Sequence, residues 1–240
     1  MEWVIVLAVG LVAGTLGGIV GFGTSIMLMP PLVIAFGPRE AVPIMAITAL
    51  MANASRVAVW WREVDWKACA VYGATGVPGA ALGATTLLHL PARPVELALG
   101  VFFLAMIPVR RRLQTSGFRV ALWHLAIVGA VIGFLTGIVV STGPINTPFF
   151  LAYGLTKGAF LSTEAMGSIL VSGTKAIVFN RFGALPWETF VKGLIVGSTV
   201  FAGSFVAKRF VLRIEPAQFR LLMEALMVMA GVTMLVTALA

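Results

Sequence analysis

Two short stretches place glycine, hydroxyl and proline residues inside long apolar runs. The first runs from Gly21 to Ser25 and the second from Ser141 to Pro148. Inside a bilayer, such a break frees backbone groups from their helical hydrogen bonds, so it is tolerated where it is buried in protein or lines a cavity. Two breaks at matching places in the two halves of a chain are typical of a transporter's binding site.

The residue types in these breaks suit the binding of a small anion. Short helices that begin after Gly23 and after Gly143 would present unpaired N–H groups and the positive ends of their dipoles. The substrate-binding residues predicted in the two breaks are Gly21, Gly23, Thr24, Ser25, Thr142, Gly143, Asn146 and Thr147. The alternative is that the glycines serve only to let helices approach closely.

Lys175 lies within an apolar run, where a charged side chain usually faces a cavity or a partner. At helical spacing, Glu164, Ser168 and Lys175 share one face, and Ser172 lies nearby. We expect Lys175 and Ser172 to bind the substrate. The alternative for Lys175 is an extended side chain that reaches the membrane surface, because Arg181 follows soon after.

Arg56 and Asn53 form the counterpart in the first half and are also predicted to bind the substrate. The alternative for Arg56 is interfacial anchoring close to Trp60. Glu164 is a candidate for a coupling proton if it is buried. Otherwise, it is an acidic residue near a helix start that favours the helix dipole.

The composition identifies the elements that must position these residues. The 240 residues are 60% hydrophobic and 11% charged, against about 25% charged in a soluble domain. Long uncharged runs and a mean hydropathy of +1.02 predict an all-α, polytopic helical membrane protein rather than an alternating β-barrel. The net charge of +8 comes from residues at segment ends, so we predict membrane anchoring and no nucleic-acid partner.

No cofactor or metal site is predicted. Cys69 is the single cysteine, and His89 and His124 lie far apart, so neither a disulfide nor a recognisable metal motif is present. The first run, from Trp3 to Val20, lacks a basic flank and is interpreted as part of the fold rather than as a signal peptide.

The chain is interpreted as two tandem membrane repeats, 1–113 and 121–240, joined by a cytoplasmic linker at 114–120. Trp66 matches Trp187, and Pro30 matches Pro148, in the same order. Basic residues in short loops favour inverted repeats, each with a re-entrant broken first helix pair and three full spans, and with both termini outside. An ordinary count, with the run from Trp3 to Val20 as a span, gives eight spans.

The pattern resembles the TauE/SafE family of sulfite exporters, also called TSUP permeases. The resembling stretches are Gly18 to Thr24, Pro30 to Leu32, Ala41 to Ser55, Val64 to Trp66, Gly133 to Gly143, Pro148, Glu164 to Lys175 and Leu185 to Trp187. The sequence departs in part from the family's glycine-rich turn, which is Gly-Phe-Gly-Thr-Ser here in the first half and Ser-Thr-Gly-Pro in the second. The resemblance implies export of sulfite and small organosulfonates across a bacterial inner (plasma) membrane.

The function expected is therefore secondary transport of a small sulfur-containing anion by alternating access. The chain contains no Gly-x-x-x-x-Gly-Lys-Ser/Thr motif for ATP hydrolysis. It also contains no His-Glu-x-x-His motif or paired acids within a span, so an intramembrane enzyme is not predicted. The alternatives are a non-transporting scaffold and a transporter of another small anion or a metal ion. Formation of a homo-oligomer is left open.

Overall fold

The described part of the chain consists of helices, with no strand among its residues. The structure, a computed structural model, describes residues 2–87, 119–138, 143–182 and 186–211, and single positions within 101–108 and 218–236. The helices are α1 (Glu2–Val20), α2 (Thr24–Trp60), α3 (Trp66–Leu87), α4 (Leu122–Ile138), α5 (Gly143–Ala152), α6 (Lys157–Arg181) and α7 (Trp187–Val211), with a 3-10 turn at Trp61–Glu63. The prediction of an all-α fold is confirmed.

Three of the described helices are long and apolar enough to cross a membrane, namely Glu2–Val20, Pro43–Glu63 and Trp187–Phe210. Met27–Gly37 and Leu122–Ile138 are shorter apolar helices. Most of residues 95–109 and 216–239, all of 110–112 and most of the predicted linker at 114–120 lie outside the described residues.

The first break is a hairpin tip. Gly21 and Gly23 have φ values of 93° and 99°, in the left-handed region that favours glycine, and they separate α1 from α2. The chain then returns along α1, because the Thr24 hydroxyl donates to the Ala13 carbonyl over 3.3 Å. The ring of Phe36 reaches that of Trp3, at the start of α1, with 4.8 Å between centroids.

Helix α2 has two limbs, 24–36 and 38–60, joined at Gly37. Gly37 has φ 75° and ψ 161°, and the residues on both sides are helical. The interruption is therefore a kink at a single residue. Proline at position 38 is compatible with immediate resumption of the helix, because its fixed φ suits a first helical position.

The two helices that flank the second break also run back along each other. Helix α4 leads into it, and α5 returns until the backbone N–H of Val120, before α4, donates to the Ala152 carbonyl over 3.0 Å. The break is shorter than predicted, because the helix already begins at Gly143 and includes Pro148. Proline at position 144 lies in the first turn, where its missing N–H is harmless.

Close glycine contacts show that α1 and α7 run in the same direction. Gly10 packs against Thr199, and Gly18 packs against Ala207, so both sequence numbers rise together along the contact. Such small-residue faces let helix backbones approach closely in lipid.

The same parallel packing joins α3 to α4. Gly129 packs against Tyr72, and Gly137 packs against Ala80 and Ala84. Each first helix of one half therefore lies against the third long helix of the other half.

The middle helices cross in opposite directions. Gly158 near the start of α6 packs against Trp60 at the end of α2, whereas Glu164 pairs with the earlier residue Arg56. Meanwhile, α2 is parallel to α7, because Thr48 bonds to Gly193 and Ser55 bonds to Ser204.

These contacts show how each long helix of the first half is directed relative to the corresponding helix of the second half. Helix α3 is parallel to α6, because Cys69 bonds to Thr163 and Gly76 packs on Val171. Three pairs of counterparts therefore run in opposite directions. They are α1 with α4, the second limb of α2 with α6, and α3 with α7. An inverted duplication requires this arrangement, and the duplication itself remains a prediction.

Six basic residues of the described chain lie at one end of the bundle, whereas Arg181 and Lys192 lie at the other. The helix directions place the end of α2, the starts of α3, α4 and α6 and the end of α7 together. Basic residues there are Arg62, Lys67, Arg119, Lys157, Lys208 and Arg209. We call this the basic end. Asp65 caps α3 there, because its Oδ1 accepts from the N–H groups of Lys67 and Ala68.

Candidate functional site

The two hairpin tips meet inside the bundle around a polar cavity of about 50 Å³. This space is enough for a few water molecules or one small ion, because a single water needs about 10–15 Å³ on the same measure. A Cβ added to Gly143 would lie 2.6 Å from the Cβ of Phe22, so the tips are in direct contact. The cavity is lined by Gly21, Phe22, Gly23, Thr24, Ser25, Ala49, Ala52, Asn53, Arg56, Thr136, Gly143, Glu164, Ser168 and Ser172.

The start of α2 supplies hydrogen-bond donors to this cavity. Gly23 is its N-cap residue, and no side chain caps the helix there. The first N–H groups of a helix have no partner within the helix and carry the positive end of its dipole. Ser25 is 9% exposed, and its hydroxyl makes no hydrogen bond within the described chain. A buried hydroxyl in that state indicates room for a ligand.

Arg56 is the charged donor at the cavity wall. Its Nη1 lies 2.9 Å from the Oε2 of Glu164, and the two side chains are 8% and 1% exposed. Arg56 also donates to the Gly21 carbonyl and to the Oδ1 of Asn53. A buried cation needs such pairing, because an isolated charge in an apolar interior is very costly.

The Glu164 carboxylate is held by further donors from two helices, α5 and α6. Ser168 Oγ donates to its Oε1 over 2.7 Å, and Asn146 Nδ2 donates to the same oxygen over 3.4 Å. The Tyr72 hydroxyl donates to the Asn146 Oδ1 over 2.9 Å and so turns the amide N–H₂ toward Glu164. Every bond described at this carboxylate is one that an ionised acceptor makes.

Two buried cations were predicted from the sequence, Arg56 and Lys175. Each donates to a backbone carbonyl at the C-terminal end of the first helix of one half. Arg56 binds Gly21, which follows α1, and Lys175 Nζ donates to Thr136, in the last turn of α4, over 3.2 Å. The last carbonyls of a helix lack internal partners and carry a partial negative charge. Both cations therefore stabilise the C-terminal end of a helix inside the bundle.

Most predicted site residues come together at the cavity. Gly21, Gly23, Thr24, Ser25, Asn53, Arg56, Gly143, Glu164 and Ser172 line it, and Asn146 bonds to Glu164. Thr147 is buried, but its hydroxyl donates to the Gly143 carbonyl over 2.9 Å, within its own helix. Thr142 lies outside the described residues.

Lys175 does not line the cavity. It lies eleven residues after Glu164 on α6, which corresponds to about 16 Å along the helix axis. The two residues share a helix face, as predicted, but they lie at different depths.

Tyr72, Thr136 and Ser168 belong to the site but were not among the predicted binding residues. Ser168 was detectable because it shares a helix face with Glu164. Tyr72 is one of two tyrosines in the chain, in a glycine-rich run, and gave only a weak signal. No signal singled out Thr136.

Fold and cavity together define a multi-pass helical membrane protein with two broken helices around a polar, cation-containing site. The chain matches the family described as Sulfite exporter TauE/SafE over residues 6–234 and belongs to that family of membrane transporters. Neither the curated proteins nor the solved structures contain a match.

Proposed function

We propose that this protein is a secondary transporter that exports a small sulfur-containing oxyanion, sulfite or an organosulfonate, by alternating access. The observation that carries the proposal is the uncapped start of α2, which faces the same cavity as Gly143 and Arg56. Helix N-termini bind anions through their free N–H groups.

The anion lies, in this proposal, between the two hairpin tips. The N–H groups at Thr24 and Ser25 and the hydroxyls of Ser25 and Ser172 donate to its oxygens. Arg56 supplies the full positive charge, and Asn53 orients the guanidinium. Asn146 acts through Glu164, whereas Thr147 shapes the start of α5. The small cavity favours a compact head group such as sulfite or a sulfonate over a bulky one.

The basic end is proposed to face the cytoplasm of a bacterial cell, because positive loops are retained there. Arg56 lies four residues, or about 6 Å, from the end of α2 at the basic end. The anion is therefore bound nearer to the cytoplasmic side, and the surrounding positive charge attracts it. This supports loading from inside the cell and hence export.

Opposed helix directions support the mechanism. Two inverted halves that meet at one site can exchange an inward-facing for an outward-facing arrangement by rocking against each other. The hairpin tips contact each other directly at Phe22 and Gly143, so relative movement of the halves alters the cavity.

The test compares methanesulfonate with acetate, two singly charged anions of similar size. Methanesulfonate and sulfite are expected to raise the melting temperature of the purified protein and to cross proteoliposome membranes that contain it. Acetate is expected to do neither.

Ser25→Ala should weaken the stabilisation, and Ser198→Ala, at an exposed serine of α7, should not. Equal effects of the two anions would contradict the proposed substrate class. Stabilisation without flux would indicate a binding scaffold instead of a transporter.

A further inference from the structure

We propose that each monovalent anion is carried together with one proton, which Glu164 binds when the anion takes its place beside Arg56. The inference rests on the proposed function and names the coupling ion and the way in which the site recruits it. Its basis is that Glu164 lies beside Arg56, in the position that a bound anion would need.

The charges around Glu164 set up this competition. Among the described residues, Arg56 of α2 is the charged group that faces Glu164, at 2.9 Å. Asn146 faces it from α5 and Ser168 from its own helix. The titratable groups of α3 near this position, Tyr72 and Cys69, donate instead to Asn146 and to the Thr163 carbonyl. The Arg56–Glu164 pair therefore contributes one positive and one negative charge to the site.

An anion that enters this site alone leaves one uncompensated negative charge in a buried environment. Such a charge is strongly unfavourable in a buried site, where Arg56 is the charged group that the described residues place beside Glu164. Protonation of Glu164 removes the excess charge and frees Arg56 to pair with the anion. The proton comes from the solution on the side from which the anion enters, and it leaves with the anion on the other side.

Ser168 is suited to support both states of Glu164. Its hydroxyl now donates to the Glu164 carboxylate over 2.7 Å, and the residue also lines the cavity. A hydroxyl can rotate and accept instead. When Glu164 is protonated, its O–H donates to Ser168, and the Ser168 O–H turns toward the anion. Ser168 is thus a positioning residue that links the two binding events.

One proton and one monovalent anion carry no net charge across the membrane. Methanesulfonate flux at equal pH on both sides should therefore not respond to a membrane potential. A pH gradient should drive its accumulation. In Glu164→Gln the site keeps Arg56 and cannot take up the proton, so the same flux becomes sensitive to potential and insensitive to the pH gradient.

The experiment uses proteoliposomes with a potassium diffusion potential set by valinomycin and, separately, an imposed pH gradient. The wild type and Glu188→Gln, a matched change at an exposed glutamate of α7, should show potential-independent flux. Glu164→Gln should show at least a severalfold change in flux between opposite potentials. Wild-type flux that follows the potential, or Glu164→Gln flux that ignores it, would overturn the inference.

A second measurement needs only the wild type, so it stands even if Glu164→Gln does not fold. Methanesulfonate is added to weakly buffered, detergent-solubilised protein. The protein should take up about one proton for each anion that it binds. Binding without proton uptake would overturn the coupling and leave the proposed function intact. Absence of both binding and flux would overturn the proposed function and the coupling with it.

Discussion

Removal of both members of the Arg56–Glu164 pair should abolish transport but still allow the protein to fold. At 2.9 Å the pair attracts by about 6 kcal/mol with an effective dielectric constant of about 20, and desolvation offsets part of this. Arg56→Met or Glu164→Met alone leaves a buried charge without its partner, so each should lower the free energy of unfolding by about 3–5 kcal/mol.

The double variant leaves no such charge. Arg56→Met with Glu164→Met should lie within about 3 kcal/mol of the wild type, because only the hydrogen bonds to the uncharged partners Gly21, Asn53, Asn146 and Ser168 are lost. It should fold and carry no methanesulfonate.

The assay is a double-mutant cycle of unfolding in mixed detergent micelles, combined with flux in proteoliposomes. The pair Lys192–Glu40 is the control, because its side chains are 26% and 46% exposed and an exposed pair contributes under about 1 kcal/mol. Additive costs at Arg56 and Glu164, within about 0.5 kcal/mol, would refute the reasoning. Transport by the double variant would refute the role of Arg56.

Three further changes test other parts of the structure. Gly14→Val places a Cβ about 2.7 Å from the Val200 Cα and should destabilise the protein by about 3 kcal/mol in detergent unfolding, whereas Gly173→Ala, with open space around it, should be neutral or slightly stabilising. Tyr72→Phe leaves the buried Asn146 amide without its donor and should cost about 1–3 kcal/mol while weakening methanesulfonate stabilisation. Lys175→Met should leave the methanesulfonate-induced rise in melting temperature intact. If the variant shows no such rise, Lys175 belongs to the site.

The positions of the breaks could be predicted from the sequence because clustered glycine and hydroxyl residues favour an interruption of an apolar helix where a cavity or protein surrounds it. Gly21 and Gly23 adopt the positive φ values that only glycine reaches easily. The extent of the second break was not predictable in the same way, because proline at positions 144 and 148 is compatible with either a loop or a helix start.

The pairing of charges was beyond the sequence, because it depends on tertiary contacts. Arg56 and Glu164 are 108 residues apart and meet only because α2 and α6 pack in opposite directions. Glu164 and Lys175 show the reverse case. Helical periodicity placed them on one face, but it gives no depth along the axis, and the second of them bonds to Thr136 well beyond the first.

The most direct test of an anion site between the hairpin tips is anomalous diffraction at the selenium edge, from crystals of ordinary methionine protein soaked in selenite. Selenite replaces sulfite and marks its own position. We predict a peak inside the cavity, within hydrogen-bonding distance of the N–H groups at the start of α2 and of Arg56. A peak only at the basic end or beside Lys175, with none between the tips, would contradict the account.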